Sequence, residues 1–120
     1  MSEEKPSYLT LQPSMRPAAA VRLLEIKARN EGKEYKGSSL EEIMEATEKL
    51  GEKISEGELK KRIEEADAWD FFRYVPDLEG KRRLYSFDDS IRTKEEFDHI
   101  LQSAGLIEVE PRKVKLKVEL

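Results

Sequence analysis

Cysteine is absent from this chain of 120 residues, which excludes disulfides, thiolate metal sites and cysteine nucleophiles. Histidine occurs once, at His99. The pair Glu96 and His99 has the i, i+3 spacing used in di-iron bundles, but such a centre needs two of these motifs, and no second histidine exists. His99 therefore reads as a surface residue beside Asp98. Asparagine is nearly missing (Asn30), as is glutamine (Gln12 and Gln102), whereas Glu, Lys and Arg abound. That usage is typical of thermophilic proteins and suits a cytoplasmic one. Long apolar runs are missing too. The longest is Ala18–Val21, against roughly 20 residues needed to span a bilayer. The opening Met1-Ser2-Glu3-Glu4-Lys5 lacks the apolar stretch of a secretory signal.

Catalytic groupings are equally sparse. Asp88-Asp89 and Glu95-Glu96 are paired carboxylates, yet no Gly-rich phosphate loop or nucleophile–base set accompanies them. Asp89 and Ser90 suit turn chemistry. The expectation is a non-enzymatic protein with no catalytic residues, no metal and no cofactor.

What is present is charge and periodicity. Charged residues make up 40% of the chain and the apolar set 38%, and the apolar residues fall in periodic groups that can build one core. The length suits one domain. Residues 1–13 read as a flexible arm or a short strand, because Pro6 and Pro13 bracket the alternating Tyr8–Gln12. Residues 14–120 read as a single α+β domain.

Within that domain, Pro17 suits the first turn of a helix that starts near Ser14 or Arg16, and Asn30 and Gly32 offer its stop. Ala20, Val21, Leu24 and Ala28 share one broad face. The next helix begins with a capping box, either Ser38 with Glu41 or Ser39 with Glu42. Leu40, Ile43, Met44, Thr47 and Leu50 form its stripe, and Gly51 follows as the C′ residue. A third helix begins at Ser55, with Glu58 three residues on, and the pattern from Ser55 to Val75 reads as helical. Leu59, Ile63 and Ala66 are its core stripe.

That third pattern becomes inconsistent near its end. At 100° per residue Asp70 falls within about 20° of Leu59, so a straight helix would aim a carboxylate at the core. Either the helix bends or ends near Ala68–Asp70, or more than one surface encloses the segment. A turn at Pro76-Asp77 and Glu79-Gly80 then leads to a strand over Arg82–Phe87. Thr93 caps a fourth helix whose core face is Phe97, Ile100, Leu101 and Ala104, ended by Gly105. Leu106–Glu110 and Lys113–Leu120 read as a hairpin with one buried face.

The segment Trp69–Val75 carries the main functional signal. It holds four of the nine aromatic residues, together with Arg73. Trp, Tyr and Arg dominate interface hot spots, so Trp69, Phe71, Phe72, Arg73 and Tyr74 are the candidate protein interface. Core packing competes for Trp69 and one phenylalanine.

A family resemblance points elsewhere. Ser39-Leu40-Glu41-Glu42-Ile43, Leu50-Gly51 and Ile54-Ser55-Glu56-Gly57-Glu58-Leu59, with Ala104-Gly105-Leu106-Ile107-Glu108-Val109 further on, resemble the winged helix-turn-helix superfamily. The resemblance implies a winged-helix-like fold, four helices with a small antiparallel C-terminal sheet. It also implies nucleic-acid binding through Lys60 and Lys61 on the third helix. The wing would carry Lys81, Arg82 and Arg83, or Arg112 and Lys113.

Charge opposes that role. Gly37–Val75 carries 11 acidic against 6 basic residues, the wrong sign for gripping phosphates. Lys60 and Lys61 each have a glutamate four residues on, as surface ion pairs do. The leading expectation is an adaptor or accessory subunit that binds a protein partner or itself, with no membrane contact. A winged-helix DNA-binding regulator is the alternative.

Overall fold

The computed structural model describes residues 8–35, 37–67, 72–76, 83–87, 91–111, 113–118 and 120; for 66, 67, 72–76, 83–87 and 91–93 it describes the backbone alone. Helix α1 (Arg16–Asn30) organises the rest, with every residue from Pro17 to Leu23 buried. A helix that is buried nearly all round must have partners on several sides. Its neighbours are α2 (Leu40–Lys49), α3 (Glu56–Asp67) and strands β2 (Arg83–Phe87) and β4 (Val114–Leu116). The run Ala18-Ala19-Ala20 lets these elements approach closely, because its side chains add little width. The single apolar face expected for this helix is too narrow a description. Ala18, Ala19, Leu23 and Ile26 join the core, while Leu24 and Ala28 are only half-buried.

The described residues before α1 do not form a strand. Tyr8–Thr10 is a 3-10 turn, followed by a second over Pro13–Met15. The reason lies in Arg16, which donates from Nε to the Leu11 carbonyl (3.1 Å) and from Nη2 to the Leu9 carbonyl (2.8 Å). Those acceptors are satisfied by a guanidinium rather than by a neighbouring strand. Tyr8 and Leu11 are buried in the core, and the Tyr8 hydroxyl donates to the Arg16 carbonyl at 2.8 Å.

Capping sets the next two helix starts. Ser39, not Ser38, caps α2: its Oγ accepts from the Glu42 amide (3.3 Å) and Glu42 Oε1 accepts from the Ser39 amide (3.0 Å). Ser55 Oγ accepts from the Glu58 amide at 3.1 Å at the start of α3. Gly51 and Gly105 end α2 and α4 (Ile91–Ser103) at φ of 108° and 78°, a backbone region that favours glycine. Ile43, Ala46 and Thr47 of α2 and Leu59 and Ile63 of α3 point into the core. Each fully buried Leu or Ile contributes roughly 1.5–3 kcal/mol.

The helix expected over Ser55–Val75 is shorter than its pattern suggests. α3 ends at Asp67, and Phe72–Pro76 is strand β1, paired antiparallel with β2. The apolar period therefore changes from 3.6 in α3 to 2 in β1; Asp70 lies outside the described residues. α4 begins two residues before the Thr93 cap expected for it. Phe97 and Leu101 are buried, but Ile100 is 38% exposed, so the core face of α4 is narrower than the i, i+3, i+4 pattern implies.

Among the described residues the architecture is α+β: four helices with two two-stranded antiparallel sheets, β1–β2 between α3 and α4 in chain order, and β3 (Ile107–Val109) with β4 near the C-terminus. In the second, Val114 and Leu116 are half-buried and Lys115 is exposed, the alternation the sequence shows. Among the described residues no helix is long and apolar enough to cross a membrane.

Candidate interaction surface

β1 holds three of the aromatic-segment candidates, Phe72, Arg73 and Tyr74; Trp69 and Phe71 lie outside the described residues. Aromatic and β-branched residues favour the pleated conformation, and Phe72-Arg73-Tyr74-Val75 is such a run. Its partner Leu84-Tyr85-Ser86-Phe87 is similar. The register sets Phe72 opposite Phe87 and Tyr74 opposite Tyr85. Directly opposite residues of an antiparallel pair share a face, and neighbours along a strand alternate. Phe72, Tyr74, Tyr85 and Phe87 therefore belong to one face of the ribbon; Arg73, Val75, Leu84 and Ser86 belong to the other. β2 packs against α1 and α2, which ties the ribbon to the helical core.

The basic candidates are dispersed. Lys60 and Lys61 are exposed on α3. Lys60 Nζ pairs backward with Glu56 at 3.8 Å, rather than forward with Glu64. Arg62 is committed: Nη1 lies 2.6 Å from Glu52 Oε1, and Nε lies 3.0 Å from Glu58 Oε2. Over its length α3 carries five acidic and three basic residues. Lys81, Arg82 and Arg112 lie outside the described residues, Arg83 opens β2 opposite Pro76, and Lys113 is exposed just before β4.

Two ion-pair networks went unforeseen in the sequence. Arg22, with a side chain only 4% exposed, donates from Nε and Nη2 to the two Asp98 oxygens and from Nη1 to Glu25. Glu25 Oε2 also meets Arg29 Nη2 at 2.8 Å and Lys94 Nζ at 3.7 Å. Burial works to lower the pKa of the Arg22 guanidinium, but the hydrogen bond and charge of Asp98, with Glu25, outweigh it, so the value is raised. Arg22 therefore stays charged inside the protein. Asp98 is spent on Arg22, and His99 is exposed beside it.

In the second network, Glu52 accepts from Arg16 (2.7 Å) as well as Arg62, joining the start of α1 to the turn before α3. The visible cue for the first network was a charged residue, Arg22, following four apolar ones in α1, with Glu25 and Arg29 three and seven residues on. Thr47 is the reverse case. Its Oγ1 is buried close to the Tyr8 phenol, yet no well-formed hydrogen bond reaches it among the described residues.

No protein-family model, no curated protein and no solved structure matches this chain.

Proposed function

We propose that this chain is a small non-enzymatic interaction module, an adaptor or accessory subunit, that binds a protein partner or a second copy of itself through the β1–β2 ribbon. The cross-strand register carries this reading, because it gathers Phe72, Tyr74, Tyr85 and Phe87 on one face with Arg73 on the other. Four aromatic residues on one face of a two-stranded ribbon supply large contact area at low cost in side-chain entropy. The test is co-purification of the tagged chain from its source cells, with and without Tyr74→Ala. The wild type is expected to retain a stoichiometric protein, or a second copy, that the variant loses while keeping its helical circular dichroism. A variant that retains the same protein overturns the reading.

The order of elements favours a second reading. Three helices followed in chain order by two antiparallel strands is the order of a winged helix, which supports a DNA-binding regulator reading DNA through α3. The acidic balance of α3 weighs against it, since a phosphate-gripping surface needs net positive charge. Fluorescence anisotropy with a random duplex at about 50 and 200 mM salt separates the two readings. Affinity that falls steeply between those salts favours the regulator; absence of binding at both favours the protein-binding module.

A further inference from the structure

The C-terminal half of α1 and the start of β4 enclose a cleft of about 320 Å³, lined by Arg22, Ile26, Arg29, Asn30, Lys113 and Val114. Its apolar walls are Ile26 and Val114. The rest, among the described residues, are three cations and an amide. Asn30 holds the two elements at a fixed spacing, donating from Nδ2 to the Val114 carbonyl at 3.0 Å.

The charges divide into a buried anchor and a mobile rim. Arg22 commits three of its five N–H groups, two to Asp98 and one to Glu25. The other two have no partner among the described residues. Arg29 is 58% exposed and can leave Glu25, which keeps Arg22 and Lys94 as partners. Lys113 is exposed and forms no ion pair among the described residues. Among the described residues, the cleft's three cations, Arg22, Arg29 and Lys113, meet two carboxylates, Glu25 and Asp98. The surplus is positive, although the chain as a whole has a net charge of −4.

We propose that this cleft binds a small phosphate-bearing molecule. A guanidinium fork matches a phosphate in geometry as well as charge. Arg22 anchors the phosphate from below, Arg29 and Lys113 close on it, and the apolar remainder of the ligand rests on Ile26 and Val114. The volume lies at the lower end of the range for ligand pockets, about 300–1,000 Å³, so a mononucleotide-sized molecule is the upper limit. This proposal is independent of the aromatic ribbon.

The test is a titration of the uniformly ¹⁵N-labelled full chain, followed by NMR, with adenosine monophosphate and with inorganic phosphate as probes. Sodium chloride at matched ionic strength is the control. Saturable shifts are expected at the Arg22 and Arg29 Nε–H, the Asn30 side-chain amide and the Lys113 amide, with adenosine monophosphate tighter than phosphate. The double variant Arg29→Gln, Lys113→Gln should bind at least about tenfold more weakly, a loss within the worth of one charge-assisted hydrogen bond. Its remaining amide spectrum should be unchanged; Arg22 is left intact because it also holds Asp98. Shifts that chloride reproduces, or that survive in the double variant, overturn the proposal. Shifts produced by a random DNA duplex and by neither small probe also overturn it, and assign the cleft to the nucleic-acid backbone.

Discussion

Arg22 in α1 grips Asp98 in α4 through two parallel hydrogen bonds, Nε to Oδ1 at 2.8 Å and Nη2 to Oδ2 at 2.7 Å. The two residues are 76 positions apart, so this pair fastens the last helix to the first. Removing Asp98 leaves the buried Arg22 with Glu25 alone, and breaking a buried ion pair costs about 3–5 kcal/mol. Asp98→Ala should therefore lower unfolding stability in urea by about 3 kcal/mol. Arg22→Met combined with Asp98→Leu should cost less than the single change, because the buried guanidinium goes with its partner while Glu25 keeps Arg29 and Lys94. A loss below about 1 kcal/mol for Asp98→Ala would class the pair with surface ion pairs.

The Ser39–Glu42 capping box satisfies two backbone amides at the start of α2. Ser39→Ala should destabilise the protein by about 1 kcal/mol and Ser39→Gly by only a few tenths. Equal losses for the two, measured by thermal or urea unfolding, would contradict a side-chain role for this cap.

Much of this was legible in the sequence. A cap at Ser38 or Ser39, the Ser55 cap, the glycine stops, the Leu59–Ile63 stripe and the alternation along Val114–Leu116 follow from local chemistry that each segment carries by itself; the choice of Ser39 does not. The strand within the aromatic segment was not legible. Its residues continue a helical stripe up to Ala66, and a partner strand beyond residue 82 decides the switch. The Arg22–Asp98 pair was not legible, because nothing local connects two residues so far apart. At Tyr8–Gln12 the reason is different: alternation suits a strand, but the guanidinium of Arg16 takes up the Leu9 and Leu11 carbonyls that a strand would offer.

Tyr8 and Tyr35 make stability fall in alkali. Burial, chiefly, pushes both phenols above their ordinary value of 10.0, so the fold holds them neutral. The unfolded chain ionises them near pH 10. Their contribution is therefore complete below about pH 10 and is lost as pH rises toward the raised folded values. Between pH of about 9 and 11 the urea-derived stability should drop by about 2–3 kcal/mol from these two groups. Tyr8→Phe and Tyr35→Phe should each flatten the drop by about half. Slopes unchanged in both variants would contradict the assignment.

Glu52 bridges Arg16 at 2.7 Å and Arg62 at 2.6 Å, all three with side chains at most 15% exposed. Glu52→Gln keeps the shape and removes the charge, and should cost about 1–2 kcal/mol. Hydrogen exchange should quicken in the 3-10 turns before α1 and in the first turn of α3, the segments that the bridge joins. Exchange unchanged in both would show that the bridge does not couple them.

The most direct test of the account is photo-crosslinking in the source cells, with p-benzoylphenylalanine placed at Tyr74 or, separately, at Lys61. The account predicts a discrete protein adduct, or a dimer of this chain, from position 74, and no nucleic-acid adduct from position 61. Nucleic acid captured at position 61, with no protein adduct at position 74, would contradict it and make α3 the functional surface.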